Sequence, residues 1–579
     1  MKPKHVGRLS LVLILALYAA WVLSHWEPVC VAPDTVGLCQ QAQHFAESGL
    51  EPFHPESPAQ MVGSHWVQTA EATYRGRFPP GYPALLGVAY RLAGPEWSLL
   101  LGPLFGVVAV GLLFFLGWSG VLGKFPDNGP PPGGFWQALL PALLPAILLA
   151  TFPLQNRLVL HGDTHVPAVV CILAGVWTLL RWDRDPSKGR AFAAGLAWGL
   201  LPSLRYGEVV MSLAAGAFMA VRGFQMGKAH RRTLWPAIVG AGLLLALLGG
   251  YNTVAYGNPW STGYAFTQEQ TAFSLSVIPG HLLFYFSSLL TQPTVALYVA
   301  LGVGALGLMI LNRETRAFAL FLLGAILLSV LLYSSYYWGE NEDASLALRF
   351  FLPAMACLLV ATTWLLGQAQ RRKWWPLQAI AAGLIVLGVF RSESEMRDEG
   401  IALRGGIALV GAARQAVPEG SVLICPRGLG ETLSYGSHWR IVPQWLFPGD
   451  PERQRIIVPW EVPPEVAQEF GDRPAPMQTS RGAALRSHYR GMGDSDLVQA
   501  VLLDARRWAP SADVYWIGDP RVVAGVDSLL VDRGFRALGH LVFPGRSEEE
   551  AATGGPTRLP SRIPIFVLEP DSSAERPSS

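Results

Sequence analysis

Apolar residues in this chain gather into long charge-free runs, not into the one-sided stripes of a water-soluble helix or strand. The runs occupy residues 9–26, 97–119, 136–153, 165–181, 191–204, 208–221, 234–252, 292–311, 317–334, 350–367 and 374–390. A helix needs ~20 apolar residues to cross ~30 Å of hydrocarbon, and most of these runs reach that length; 191–204 and 208–221 are short. The first run follows Lys2, Lys4 and Arg8 and reads as a signal peptide or a first span. Its length and the apolar chain behind it favour the span.

The connections between runs alternate in charge. One set carries Lys124; Arg181, Arg184, Lys188 and Arg190; Arg222, Lys228, Arg231 and Arg232; Arg313 and Arg316; and Arg371, Arg372 and Lys373. The positive-inside rule assigns this set to the cytoplasm. The other set, at 27–96, 154–164, 253–291 and 335–348, is acidic or neutral and is expected outside. Basic loops flank the two short runs on both sides, so 191–221 must cross and return, with Leu204-Arg205-Tyr206-Gly207-Glu208 at its outer apex. The pattern therefore predicts a polytopic α-helical membrane protein of about eleven spans, N-terminus cytoplasmic and C-terminus outward.

Past residue 391 the long runs stop. Short β-rich stretches at 421–425, 513–517 and 563–567 alternate with helical patterns at 496–508 and 522–533, as in a small α/β domain. The expected organisation is a membrane domain over 1–391, an outward soluble α/β domain over 392–569 and a polar, Pro/Ser-rich disordered tail over 570–579. Within the membrane domain, 27–96 forms a long first outer loop whose juxtamembrane helix at 82–93 lies along the surface.

Composition agrees with the pattern. The 579 residues are 51% hydrophobic and 15% charged, against ~25% charged in soluble domains. The net charge of +2 carries little information, because placement of Lys and Arg matters more than their sum. No basic tract and no zinc-type Cys/His spacing is present, which argues against nucleic-acid binding. Of the five cysteines, Cys30 and Cys39 share the first outer loop. They form a disulfide if that loop meets an oxidising compartment, and remain two free thiols otherwise.

Ionisable groups at membrane edges are costly and mark function by default. Four places stand out on the expected outer side: Asp34; His161-Gly162-Asp163-Thr164-His165; Arg205 with Glu208; and Arg349, preceded by Glu340-Asn341-Glu342-Asp343. Each has a plainer reading. Asp34 follows Pro33 and suits a helix cap, Arg205 can pair with Glu208 three residues on, and Arg349 can be an interface anchor. His161, Asp163 and His165 also have the alternate spacing of a metal site, which puts all three on one side only in an extended segment. Trp66, Tyr82, Tyr333, Tyr336, Tyr337 and Trp338 fit a sugar site or an aromatic belt.

The order of these features resembles the GT-C superfamily of membrane glycosyltransferases. A short apolar anchor precedes Asp34, and the helical segment from Gln40 to Gly49 follows. Phe78-Pro79-Pro80-Gly81-Tyr82-Pro83-Ala84-Leu85-Leu86 and Tyr90-Arg91-Leu92-Ala93-Gly94 come next. Leu204-Arg205-Tyr206, Tyr256-Gly257-Asn258-Pro259 and Leu348-Arg349-Phe350-Phe351-Leu352-Pro353 continue the likeness, which covers about residues 1–440. Within the superfamily the chain is most similar to the branch of protein O-mannosyltransferases and the lipid A aminoarabinose transferase.

That resemblance implies an inverting transfer of a sugar from a polyprenyl-phosphate donor to a lipid, glycan or protein acceptor on the outer face of a bacterial inner membrane. It matches Asp34 to the catalytic acidic residue of the first loop and Asp163 to a second acidic position. Arg205, Arg349 and Arg77 are the candidates for the donor phosphate, since a guanidinium fork fits phosphate oxygens, and Tyr82 and His161 are further candidates for substrate contact. The implied branch needs no metal; a divalent ion on His161, Asp163 and His165 is the disfavoured alternative. Two rival readings are a transporter, whose sites also use broken helices and midplane charges, and a catalytically inactive relative acting as a scaffold. The absence of an inverted repeat and the long first outer loop argue against the transporter.

Overall fold

The computed structural model describes residues 3–63, 65–119, 135–267, 273–336, 344–443, 492, 494–517, 536–542 and 562–568. Lys124, the stretch from Tyr337 to Asp343, the helical pattern at 522–533 and the tail at 570–579 lie outside the described residues.

Helices occupy all eleven apolar runs. They are α1 (Pro3–Leu23) and, after a long first loop, α5 (Leu101–Trp118), α6 (Phe135–Ala150) continued by α7 (Pro153–His161), α8 (His165–Arg184), α9 (Lys188–Leu204) and α10 (Val209–Gln225). After the short α11 (Lys228–Arg232) come α12 (Leu234–Tyr256), the short α13 (Gly263–Phe266) and α14 (Ile278–Leu290). The last spans are α15 (Pro293–Leu311), α16 (Arg316–Ser334) and, after α17 (Ala344–Ala347), α18 (Leu352–Arg371) and α19 (Trp375–Ala416). Among the described residues nine helices are long and apolar enough to cross a membrane, ten if α6 and α7 count as one bent span. α9, with 17 residues, is the eleventh and falls just short of that length.

Two features differ from the expected pattern. Residues 154–161, read as the start of an outer loop, are helical within α7, which meets α6 at a bend of 58°. The bend falls at Thr151-Phe152, before Pro153, whose missing N–H suits a first helical turn. The second feature is α19, which at 42 residues is about 63 Å long at 1.5 Å per residue. Hydrocarbon accounts for about half of that length, and the helix runs unbroken past residue 391 into the C-terminal region.

Burial places α18 at the centre of the bundle. In the span Leu348–Arg371, 94% of the most apolar window is buried, against 17% for α1. α18 packs against α15, α6, α8 and α16, so a side chain at its N-terminal end lies in the middle of one face of the bundle. Arg349 is at that end.

The first loop, between α1 and α5, covers this face. It contains α2 (Pro33–Ser48), the hairpin of β1 (Trp66–Ala70) and β2 (Thr73–Gly76), α3 (Gly81–Ala93) and α4 (Pro95–Ser98). Cys30 and Cys39 are joined by a disulfide, which closes the entry to α2 onto its first turns. At 13 residues α3 is about 20 Å long, too short to cross, and it packs along α2.

The C-terminal region is α/β. A five-stranded sheet in the order β4-β3-β5-β7-β6 comprises β3 (Val422–Cys425), β4 (Arg440–Pro443), β5 (Val514–Ile517), β6 (Arg536–Val542) and β7 (Arg562–Leu568). β3 runs parallel to β4 and β5, while β7 is antiparallel to β5 and β6. This unit sits on the first loop. Met61 N donates to Ile441 O on β4 (2.7 Å), Gln40 Nε2 donates to Ser434 Oγ at the end of α20 (Arg427–Ser434, 2.8 Å), and Gly436 N donates to Gln43 Oε1 (3.1 Å). α2 is thereby held between the membrane bundle and the sheet.

Candidate active site

Asp34 stands in the first turn of α2. The cap position is Ala32, and no side-chain cap bond is made there, so the helix-cap reading of Asp34 does not hold. Its Oδ2 instead accepts from Arg349 Nη2 at 2.9 Å. Arg349 lies in the single 3-10 turn Leu348–Phe351 that leads into α18, and its guanidinium rests on the Phe350 ring at 5.3 Å. Burial pushes the Asp34 carboxyl up and Asp163 adds to this, but Arg349 with His65 and Arg77 outweighs both and holds it below 3.8.

Asp163 is held by a turn. α7 ends at His161 because Gly162 adopts the left-handed conformation (φ 69°, ψ 30°), which a side chain at Cβ would disfavour. Asp163 and Thr164 follow, and α8 starts at His165. Asp163 is 5% exposed. Its Oδ1 lies 2.9 Å from His165 Nδ1 and accepts from Thr164 Oγ1 at 3.2 Å. Burial alone raises this carboxyl too, yet His165, Arg349 and Arg205 together hold it well below 3.8.

Arg205 closes the arrangement. α3 begins with Gly81 pressed on the end of α9, where an added Cβ would come within 2.6 Å of the Ser203 carbonyl; Arg205 follows two residues later. Its Nη1 donates to Thr164 Oγ1 (3.1 Å) and lies 3.1 Å from His165 Nδ1. Nη2 donates to Tyr333 OH at 3.2 Å and Nε donates to Glu208 Oε1 at 3.3 Å. Tyr333 OH in turn donates to Glu208 Oε1 at 2.8 Å. The pairing with Glu208 thus coexists with the contacts to Thr164 and His165.

Asp34, Asp163, Arg205 and Arg349 therefore meet in one place. Thr35 Oγ1 donates to the His161 carbonyl at 2.8 Å, tying the first turn of α2 to the turn that carries Asp163. Tyr82, on α3, is buried, with its hydroxyl 3.9 Å from where a Cβ on Gly162 would lie; burial and the Asp163 charge push its phenol up. A cavity of about 10 Å³ lies between Thr35, Tyr82, His161 and Gly162, room for about one water. Arg77 sits to one side, 8% exposed, with Nη2 2.9 Å from His65 Nδ1 and its guanidinium facing Phe78 and Tyr264 at 5.4 and 5.5 Å.

His161 is placed differently from expectation. Its ring turns away from Asp163 and meets Glu399 Oε1 at 2.7 Å. The segment is a turn, not an extended strand, so His161, Asp163 and His165 do not converge, and among the described residues no group of three His, Cys, Asp or Glu side chains converges as a metal site. The sequence leaves His65 and Glu399 unmarked and Tyr333 open between a sugar-site aromatic and a belt residue. Tyr333 ends a uniformly apolar helix, and nothing in its spacing separates it from a belt residue.

The depressed carboxyls give a pH expectation. A group whose folded pKa lies below its unfolded value contributes stability that is fully present above the unfolded value and is lost as pH falls through the folded one. The difference in thermal stability between wild type and Asp34→Ala should be constant above about pH 5 and shrink as pH falls below 3.8. A difference independent of pH down to acid unfolding would show that the Asp34 charge adds nothing to the fold.

This architecture defines the class: a polytopic α-helical membrane protein with a C-terminal α/β region. Its structure is similar to that of ArnT from Cupriavidus metallidurans bound to undecaprenyl phosphate, with a TM-score of 0.57 and 13% identity over 98% of this chain and 99% of that one. The apo state of the same protein aligns at a TM-score of 0.55 and 12% identity over 97% and 98%. No protein-family model and no curated protein matches the chain by sequence. At this identity the likeness speaks for the fold; function has to be argued from the site.

Proposed function

We propose that this protein is an inverting glycosyltransferase that takes a sugar from a polyprenyl-phosphate donor. The observation that carries the reading is the joining of Asp34 to Arg349, within one hydrogen-bonded site that also holds Asp163 and Arg205. The Asp34 side chain is 33% exposed and that of Asp163 6%, so Asp34 is the carboxylate an acceptor reaches. In the transfer, Asp34 takes the proton of an acceptor hydroxyl as its oxygen attacks the anomeric carbon from the face opposite the phosphate. The bond from that carbon to the phosphate oxygen breaks, and the polyprenyl phosphate leaves with the electron pair. Arg349 and Arg205 neutralise it, and Asp163 orients Arg205 through Thr164, whose hydroxyl accepts from Arg205 Nη1 and donates to Asp163 Oδ1.

Arg349 has two tasks in this scheme. With no donor it holds the Asp34 carboxyl low, which makes Asp34 a weak base; a donor phosphate competes for the same guanidinium and lets the carboxyl rise. Binding of the donor and activation of the base are thereby coupled. The ArnT structure with undecaprenyl phosphate supports a lipid phosphate as the ligand class. The charge alternation of the loops and the Cys30–Cys39 bond support an inner-membrane protein with this face and the C-terminal region outside. No metal is assigned, since His161 is engaged by Glu399.

The test uses purified protein with undecaprenyl phosphate carrying a tritiated hexose or pentose, and lipid, glycan and peptide acceptors. Release of undecaprenyl phosphate matched by label on an acceptor is expected. Binding of undecaprenyl phosphate without turnover of any donor would favour the scaffold reading, and movement of label across a sealed vesicle without transfer would favour the transporter.

A further inference from the structure

Helix α19 presents two polar side chains to α7. Ser392 Oγ donates to Thr151 O and accepts from Asn156 Nδ2, both at 3.1 Å. Seven residues on, two helical turns later, Glu399 meets His161 Nε2 at 2.7 Å and Arg157 Nε at 3.6 Å. The His161 and Glu399 side chains are 8% and 12% exposed, so this pair is largely shielded from solvent, unlike a surface ion pair of small worth. Nearby, Glu393 fixes α1, accepting from Trp21 Nε1 at 2.7 Å and lying 3.2 Å from His25 Nε2.

Glu399 grips the residue on which the site turns. The His161 carbonyl receives Thr35 Oγ1, next to Asp34; its chain neighbour Gly162 adopts the left-handed turn, and Asp163 follows. A glycine pivot has little local preference for one angle, so the orientation of the turn depends on what holds the helix end before it. We propose that Glu399 is a positioning residue for the transfer. By holding His161 it fixes the 161–164 turn, and through that turn the placement of both Asp34 and Asp163. This rests on the glycosyltransferase reading above, and it gives the helix that leads into the C-terminal region a direct hold on the chemistry.

A misplacement of about 1 Å at a reacting group costs on the order of 10²-fold in rate. Glu399→Ala is therefore expected to lower kcat about 10- to 100-fold with donor KM within about 3-fold of wild type. Glu399→Gln keeps an acceptor for His161 and should retain most of the rate, which also guards against a misfolded alanine variant. His161→Ala should lose as much as Glu399→Ala, and the double variant no more than either, because both act through one contact. A wild-type kcat in Glu399→Ala, an equal loss in kcat and donor binding, or multiplied losses in the double variant would each overturn the proposal.

Hydrogen exchange separates this idea from the function on which it rests. Faster exchange at 158–165 and 33–38 in Glu399→Ala, with the rest of the bundle unchanged, upholds the positioning even in a protein found to transfer no sugar. Unchanged exchange at both segments overturns it, whatever the wild type transfers.

Discussion

Asp34→Asn should lower sugar transfer by about 10²- to 10⁴-fold, the range that a positioned general base contributes, while binding of undecaprenyl phosphate stays within a few-fold of wild type. The substitution is conservative in structure. An Asn oxygen still accepts from Arg349 Nη2, now at 2.9 Å from the carboxylate, so the guanidinium keeps a partner and the first turn of α2 keeps its packing. Basicity and the negative charge are removed together. Because Arg349 no longer faces a carboxylate, it is freer for a donor phosphate, and donor affinity should hold or rise slightly. Turnover of labelled donor and protection against thermal unfolding by undecaprenyl phosphate measure the two effects separately. Wild-type turnover would remove Asp34 as the base, and loss of lipid protection together with turnover would make it a structural partner of Arg349.

The fold was legible because membrane spans announce themselves by length and charge, both local properties of the sequence. All eleven apolar runs are helices, and α9 and α10, which the alternation of Lys and Arg pairs, lie in contact, with Ser212 Oγ donating to the Trp198 carbonyl at 2.7 Å. The stretch after Thr151 was misread for an instructive reason. Gln155, Asn156 and Arg157 interrupt the apolar run, and such residues usually mark a loop; here they are helical, and Asn156 turns inward. It accepts from Tyr18 OH at 2.8 Å and donates to Ala150 O at 2.8 Å and to Ser392 Oγ at 3.1 Å. Those bonds compensate the burial of its amide, but their partners lie far away in sequence.

The site was legible as a set of residues and not as a set of pairs. Ionisable groups at the expected outer ends of spans single out Asp34, Asp163, Arg205 and Arg349. That Arg349 meets Asp34, 315 positions away, follows from the central burial of α18, which no local pattern reveals. His161, a candidate for substrate contact, meets Glu399 instead, because the left-handed Gly162 between it and Asp163 sends its ring the other way. Glu399 escaped notice because the apolar run ends at 390, so α19 was not expected to continue past it.

The second large effect concerns Arg205. Replacing it by Met leaves Glu208, 0% exposed, as a buried charge without its cation, which costs about 3–5 kcal/mol; Tyr333 OH still donates to it but carries no charge. Arg205→Met should therefore express poorly or unfold early, and loss of activity in it would say nothing about the donor. The informative variant is Arg205→Met with Glu208→Leu, which removes both charges. Apolar replacement of a buried ion pair is often neutral or stabilising, so thermal stability should return to within about 1–2 kcal/mol of wild type. Transfer should not return, because the phosphate has lost one of its two guanidinium partners and Asp163 has lost the cation it orients through Thr164. Arg205→Lys supplies the charge without the planar fork. It cannot reach Glu208, Thr164 and Tyr333 together, so it should recover part of the stability and a small part of the rate. Restored transfer in the double variant would reduce Arg205 to the counter-ion of Glu208, leaving Arg349 as the arginine left to receive the phosphate.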